Sequence, residues 1–438
     1  MKRNDFSFAL FLMGLFSQTQ IRLIGFMDIS EAFAYVAGPI FFILDFERIK
    51  RNGFGVFFLV WFLCGIGAFV SSWVNNTPFV NMARGVATPI SVFCLSSVFY
   101  HFLSRDFKAY KWFFIGAAIS TILSVFVFQR GYERSLGGDL EATGEAATKA
   151  VMSYSLFWFS IWGTLITIPI YMFYRKLPRW YPIVCALWFM FYGFFSAGSR
   201  SSLGMTIVTI LLFIIGGKTH ESMRYVKKHF VSIMLFLAIL TPFVGQFYKY
   251  CAVNNYLGER AYNKYMGQTK IGEGILNILM SGRSGFFAGL RAAVDRPILG
   301  YGPWPIDEKG YYREYVRKYG DVEDLRHIDK MELQGRRERI PGHSWIVVFW
   351  TWYGALGLLC MLYIGWLLLS TLKNRMAVIP DLFGYFAFML PTMLWGWLFS
   401  PFGSRTGMSL MFVLCVFVKS IDKGRFRLTY DEKGWIGQ

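Results

Sequence analysis

The sequence predicts an all-α membrane protein that crosses the membrane about twelve times and carries one large, partly helical extracytoplasmic loop. Hydrophobic residues make up 55% of the 438 residues and charged residues only 16%, whereas charged residues approach about a quarter of a typical soluble chain. Apolar stretches recur along the chain, and many approach the roughly 20 residues that a helix needs to cross the hydrocarbon core. Basic residues concentrate in every second connection between these stretches.

Twelve apolar stretches are candidate transmembrane helices, and we expect the first to act as the insertion signal because no small-residue cleavage site follows it. They cover roughly residues 7–25, 29–45, 54–74, 81–103, 112–129, 152–174, 180–197, 201–217, 230–248, 345–370, 378–400 and 406–420. The chain therefore divides into helices 1–9 over residues 1–248, a periplasmic loop over 249–344, helices 10–12 over 345–420 and a basic cytoplasmic tail over 421–438.

The large loop is the one hydrophilic segment with room for a folded subdomain. Its sequence predicts a mostly helical stretch from Gly272 to Ala293 and a Gly/Pro turn from Pro297 to Pro305. A second short helix is expected from Tyr311 to Lys318.

The basic connections fix the expected orientation, because cytoplasmic loops accumulate Lys and Arg. Such clusters include Arg48 to Arg51, Arg105 to Lys111 and Lys218 to Lys228. We therefore expect a bacterial inner-membrane protein with both termini in the cytoplasm and the large loop in the periplasm. The net charge of +18 then reflects topology, and nucleic acid is not an expected partner.

The composition gives no indication of a metal or cofactor site. Five of the six cysteines fall inside predicted spans, and none pairs with another at the spacing of a zinc site. The sequence also contains no phosphate-binding loop, zinc-protease helix or hydrolase nucleophile elbow. We expect an activity that needs neither a metal nor a cofactor.

Four arginines map to the expected outer face, at the ends of spans rather than in cytoplasmic loops: Arg22, Arg84, Arg200 and Arg405. Ionisable groups near the membrane are costly and tend to line cavities or meet partners. A guanidinium donates two parallel hydrogen bonds to phosphoryl oxygens, so this set would suit a membrane-held phosphate or pyrophosphate. The alternative is that each arginine extends to lipid phosphates, which is less expected for Arg200 because small residues surround it.

The loop adds four candidate side chains. Arg283 and Arg291 are eight residues apart on one predicted helix, which could direct both toward one site. Tyr301 lies in the Gly/Pro turn, and His343 lies where the loop re-enters the membrane. A histidine at that position can exchange protons near neutral pH, although a lone histidine is often a structural hydrogen-bonding residue.

Three motifs in order resemble the O-antigen ligase and O-antigen polymerase superfamily. They are Ser-Arg-Ser-Ser-Leu-Gly at 199–204, Gly-Arg-Ser followed by Asp-Arg-Pro-Ile-Leu-Gly-Tyr-Gly within 282–302, and Gly-His-Ser-Trp followed by Tyr-Gly-Ala-Leu-Gly-Leu-Leu within 342–359. The resemblance covers about residues 180 to 370. It implies a metal-independent glycosyltransferase of the C type that acts on undecaprenyl-pyrophosphate-linked glycans at the periplasmic face.

The resemblance also implies roles for individual residues. Arg200 and Arg283 would contact the pyrophosphate, and His343 would act on the acceptor hydroxyl. Further substrate contacts are expected from the remaining candidates, which are Arg22, Arg84, Arg291, Tyr301 and Arg405. Ser344 stands where the family often has Asn.

The acceptor is left open by the sequence. In a polymerase it is another lipid-linked repeat unit, as in the synthesis of the O-antigen of lipopolysaccharide, and a chain-length regulator would be a partner. We favour the polymerase because such proteins accompany polysaccharide biosynthesis of many kinds. In a ligase it is the lipid A core. A flippase or other transporter is the rival from another class, and it would show inverted repeats and charged residues deep within several spans, which the sequence lacks.

Overall fold

The computed structural model describes a mostly helical chain. The described residues are 3–17, 19–22, 26–51, 54–123, 230–256, 283–319, 338–374 and 383–400, with single positions 208, 262, 265, 266, 269, 328, 329 and 333. Apart from position 208, the predicted spans 152–174, 180–197, 201–217 and 406–420 lie outside the described residues.

Ten helices and one two-stranded hairpin are described. In chain order they are α1 (Arg3–Leu15), β1 (Gln20–Arg22), β2 (Phe26–Asp28), α2 (Ile29–Arg51), α3 (Gly55–Val74), α4 (Phe79–Leu103), α5 (Tyr110–Ile122), α6 (Phe230–Val253), α7 (Ser284–Asp295), α8 (Tyr311–Tyr319), α9 (Trp345–Asn374) and α10 (Phe383–Phe399). A short 3₁₀ turn, Phe107–Ala109, precedes α5.

Four of these helices are long and apolar enough to cross a membrane. They are α2, α3, α4 and the Trp345–Leu372 part of α9, and they correspond to the predicted spans 29–45, 54–74, 81–103 and 345–370. Helices α1, α5, α6 and α10 overlap four further predicted spans. An α-helical membrane protein therefore agrees with the structure, while the total of twelve spans stays a prediction.

The first predicted span, residues 7–25, is wrong in its second half. Helix α1 ends at Leu15, and the chain then forms an antiparallel hairpin in which Ile21 pairs with Met27. The residues after Phe16 are Ser17, Gln18, Thr19 and Gln20, which would put polar groups on the surface of a continued helix. The amide of Ile29 instead donates to the carbonyl of Thr19 at 2.9 Å, which joins the hairpin to α2.

The helices pack closely through small residues and aromatic rings. At the α1–α5 contact, a methyl group at Gly14 would lie 2.8 Å from the amide nitrogen of Ala117, so only glycine permits this approach. The core around α3 and α4 is aromatic: Phe58 of α3 packs against Phe93 of α4, while Trp61 packs against Phe349 of α9 and Phe99 against Phe113 of α5. These contacts give the described bundle a rigid frame.

Two of the predicted basic connections meet at one end of the bundle. At one end Asp45 of α2 forms a salt bridge with Arg105 at 3.0 Å and contacts His101 of α4 at 2.7 Å, and Arg48 donates to Ser104 at 3.1 Å. Two of the predicted basic connections therefore lie side by side. The α3–α4 turn lies at the opposite end, because α3 and α4 are consecutive antiparallel helices.

The described part of the large loop matches its predicted elements. Helix α8 begins at Tyr311 as expected and ends one residue beyond Lys318, and residues 297–305 form an irregular turn. Helix α7 covers the second half of the predicted helical stretch. The first half, residues 272–282, lies outside the described residues.

Candidate functional site

The Gly/Pro turn of the loop is docked into a break in helix α9. At Gly354 the backbone has φ 65° and ψ −146°, which interrupts the helix. The carbonyls of Thr351 and Trp352 accept instead from the amides of Tyr301 at 2.7 Å and Gly302 at 3.1 Å. Irregular backbone at membrane depth is tolerated where its polar groups are satisfied within the protein or where it lines a cavity, so the turn and the break form one unit.

Helix α3 holds the same turn from the other side. The hydroxyl of Ser71 donates to the carbonyl of Trp352 at 2.6 Å and accepts from the amide of Gly302 at 3.0 Å. Asn75 donates to the carbonyl of Gly300 at 3.2 Å and accepts from Arg296 at 2.7 Å. The turn therefore lies at the end of the bundle opposite to the Asp45–Arg105 pair.

His343 packs directly on the first turn of α7. A methyl group at Gly285 would overlap Cδ2 of the His343 ring and lie 2.8 Å from Cγ of Pro341. Ser344 caps the following helix, since its hydroxyl accepts from the amide of Val347 at 3.3 Å and donates to the carbonyl of Trp397 at 3.1 Å. The backbone on both sides of the histidine is thus fixed.

Arg283 precedes α7 and reaches toward the end of α10. Its guanidinium donates to the carbonyl of Phe399 at 3.0 Å and lies 5.1 Å from the Trp395 ring and 5.0 Å from the Phe399 ring. Burial lowers the pKa of Arg283 from its ordinary value, but an arginine remains charged. A partly desolvated cation of this kind interacts strongly with an anion.

The charge of Arg283 acts on His343. Burial, followed by the positive charge of Arg283, lowers the pKa of the imidazole below its ordinary value. His343 nevertheless has an exposed surface, so the ring lies in a recess that is open on one side. A lowered pKa keeps the ring neutral near pH 7, which is the state that accepts a proton.

Arg291 has partners different from those of Arg283. It forms an exposed salt bridge with Glu314 of α8 at 2.6 Å and lies 5.3 Å from the Tyr311 ring. The contacts thus tie α7 to α8, where Ala288 and Ala292 also pack. The two arginines are not directed to a common point, contrary to what their spacing suggests.

Tyr301 belongs to a small polar cluster at the end of α7. Its hydroxyl donates to Asp295, which also accepts from Lys309 at 2.6 Å, and Arg296 lies 4.5 Å from the Tyr301 ring. These hydrogen bonds, the one from Lys309 foremost, lower the pKa of Asp295 to about 2. The cluster fixes the start of the docked turn.

A cavity of about 1250 Å³ opens between the α3–α4 turn and the docked loop. Its wall combines amides, aromatic rings and charged groups. The lining residues are Val74, Asn75, Asn76, Thr77, Pro78, Asn81, Arg296, Tyr301, Pro303, Trp304, Pro305, Ile306, Glu308, Tyr312, Glu338, Arg339 and Pro341. Because Pro341 also contacts Gly285, the cavity borders the recess of His343.

The chain matches no protein-family model, no curated protein and no solved structure.

Two of the other four predicted arginines, Arg22 and Arg84, lie among the described residues. Arg84 is exposed on α4 beside Gly85, whose carbonyl accepts from Tyr353 at 2.8 Å. A methyl group at Gly85 would lie 2.6 Å from Cβ of Pro303, so Arg84 is next to the point where the loop meets α4. Arg22 ends β1 rather than a helix, and Arg200 and Arg405 lie outside the described residues.

Two further points complete the site. Among the described residues, no three His, Cys, Asp or Glu side chains cluster closely enough to hold a metal ion, and a metal-independent reaction stays a prediction. Four further residues of the site were not predicted from the sequence: Asn75, Asn76, Asn81 and Trp304. The Asn-Asn pair directly after an apolar span is a signal for the first two.

Proposed function

We propose that this protein is a glycosyltransferase that transfers undecaprenyl-pyrophosphate-linked glycans at the outer face of the membrane, most simply by polymerising repeat units. The observation that carries the proposal is that Arg283 and His343 lie together at the first turn of α7, beside a large cavity whose wall is partly polar and partly aromatic. A neutral base and a fixed cation are the two groups that this transfer needs. The sequence resemblance adds the class of donor.

The two residues would divide the reaction. The acceptor hydroxyl attacks the anomeric carbon of the donor, and its proton passes to the neutral imidazole of His343. The bond between that carbon and the pyrophosphate oxygen breaks, and undecaprenyl pyrophosphate leaves with the bonding electrons. Arg283 compensates the charge that develops on the leaving group, and its bond to Phe399 uses one of five N–H donors.

The fold would favour this chemistry by bringing three features to the first turn of α7. Arg283 directly precedes that turn, the ring of His343 packs on it, and Pro341 of the cavity wall lies against it as well. A donor held by its pyrophosphate near Arg283 would present its sugar toward His343. An acceptor in the cavity would reach the same ring past Pro341.

The direct test is a transfer reaction with purified protein in lipid nanodiscs. Lipid-linked repeat unit alone should yield longer lipid-linked glycans, and His343→Ala should abolish this product while donor binding persists. Adding lipid A core tests the ligase reaction in the same mixture. Absence of product with either acceptor, from protein that binds the donor, would refute the proposal.

A further inference from the structure

We propose that the cavity between the α3–α4 turn and the Gly/Pro turn is a saccharide-binding site. It would bind the sugar units of the glycan that lie beyond the reacting bond. The inference rests on the proposed function for the choice of a glycan as ligand. The chemistry of the cavity wall, together with the size and position of the cavity, supports it in four respects.

The first respect is the supply of amide groups. Asn76 and Asn81 line the cavity, and each amide offers both donors and an acceptor, as neighbouring sugar hydroxyls require. Asn75 is held by the carbonyls of Ser71 at 2.7 Å and Gly300 at 3.2 Å. The α3–α4 turn is therefore a fixed edge of the cavity rather than a loose loop.

The second respect is the aromatic surface. Trp304 adopts φ 50°, which is rare for a bulky residue. Its ring packs 4.6 Å from that of Trp352, which holds it at the cavity wall. Strained conformations of this kind cluster at ligand sites, and an aromatic face packs well against the C–H face of a sugar ring because its surface carries partial negative charge.

The third respect is charge balance. The charged lining residues are Arg296, Arg339, Glu308 and Glu338, so two cations face two carboxylates. A pyrophosphate would meet repulsion from the carboxylates as well as attraction, whereas a neutral polar ligand can bond to both types. The cavity thus favours a neutral polar ligand, whereas the recess of His343 beside Arg283 favours an anion.

The fourth respect is size and position. A cavity of about 1250 Å³ exceeds the roughly 300–1,000 Å³ of sites for drug-sized ligands, which leaves room for several sugar units. Pro341 contributes to its wall and contacts Gly285 beneath His343. A glycan in the cavity would therefore extend toward the ring of His343, which packs on the same glycine.

The test measures binding without transfer. Short oligosaccharides, released by mild acid from the surface polysaccharide of the producing cell, are titrated into protein in nanodiscs and followed by saturation-transfer NMR. Trp304→Ala should weaken binding by about tenfold or more, the effect typical of truncating a central tryptophan. Asn81→Leu should also weaken it, while Trp304→Tyr, which keeps an aromatic face, should retain most of it.

The matched control is Trp366→Ala, which removes a tryptophan that is 53% exposed on α9 and lies outside the cavity lining. It should bind the oligosaccharide like the wild type, and all variants are compared only after their thermal unfolding has been shown to be similar. Inorganic pyrophosphate serves as the second probe. Its binding should depend on Arg283 and be unaffected by Trp304→Ala.

Two results would overturn the inference. One is an oligosaccharide that fails to bind the wild type, or that binds the wild type, Trp304→Ala and Asn81→Leu equally. The other is a loss of pyrophosphate binding in Trp304→Ala, which would make the cavity an anion site. Oligosaccharide binding without any polysaccharide synthesis would refute the proposed function alone, and synthesis without such binding would refute this inference alone.

Discussion

Replacing Gly285 by alanine should inactivate the protein through His343 without changing the histidine itself. The added methyl group would overlap Cδ2 of the imidazole, and carbon atoms in contact lie about 3.5 Å apart. The ring must therefore move by more than about 1 Å, and a displacement of that size commonly costs about 10²-fold in rate. We expect Gly285→Ala to lose transfer activity by about that factor.

Helix stability works in the opposite direction, which makes the result easy to interpret. Alanine favours a helix over glycine by about 1 kcal/mol, so α7 itself should not be weakened. Gly65→Ala is the matched control, a glycine-to-alanine change in the middle of helix α3. Its methyl group would lie 3.7 Å from Cγ1 of Ile90, an ordinary van der Waals contact, and this variant should keep most of its activity.

The assay is lipid-linked glycan elongation by purified protein, with thermal unfolding measured in parallel. The double variant Gly285→Ala, His343→Ala should be no less active than His343→Ala alone, because both changes act on one group. Wild-type activity of Gly285→Ala at unchanged unfolding temperature would refute the placement of His343. A further loss in the double variant would show that Gly285 acts by another route.

Four further predictions address topology, metal use, the arginines and pH. A reporter that is active only outside the cytoplasm should work when fused near Asp321 and fail near Arg224; the reverse would overturn the orientation. Elongation should persist in EDTA, and activity that returns only with added magnesium or manganese would contradict a metal-independent reaction. Arg200→Lys and Arg283→Lys should each lower the transfer rate about 10²–10³-fold, as loss of a charge-stabilising donor does, because lysine keeps the charge but loses the bidentate fork. Near-normal product would mean that these arginines only contact lipid headgroups. On lowering the pH, activity should fall only below the ordinary histidine pKa of about 6.5, because burial and Arg283 lower the pKa of His343. Arg283→Gln should shift this acid limb of the pH–rate profile to higher pH. An unchanged acid limb would show that the two residues do not interact.

Much of the helical framework could be predicted from hydropathy alone. The stretch 54–74 is observed as Gly55–Val74 and the stretch 81–103 as Phe79–Leu103, because each is bounded by polar or Pro-containing turns. Hydropathy failed after Leu15, where apolar residues continue beyond the polar run at Ser17–Gln20. A window that averages over about 20 residues cannot register such a short interruption.

The candidate site was less predictable, because side-chain direction depends on the exact angle around a helix. Arg291 follows Arg283 by eight positions, and over eight residues of an α-helix the side-chain direction ends rotated by about 80°. Arg283 also precedes the helix, with φ −138° and ψ 26°, so its side chain does not follow helical geometry at all. The contact of His343 with Gly285 joins residues 58 positions apart in number and leaves no mark in either local sequence.

The Gly/Pro turn shows why a chemically plain motif can determine a site. Gly300 and Gly302 have φ angles of 67° and 79°, which other residues adopt only with strain. Gly354 has no room for a side chain, because a methyl group there would overlap the carbonyl oxygen of Ile298. Three glycines thus allow the turn to replace the missing hydrogen bonds of α9. Because the same turn carries Trp304 and forms one wall of the cavity, the break in α9 positions the proposed glycan site as well as the helix. Loss of the break would therefore displace the cavity wall even though none of these glycines is among its lining residues.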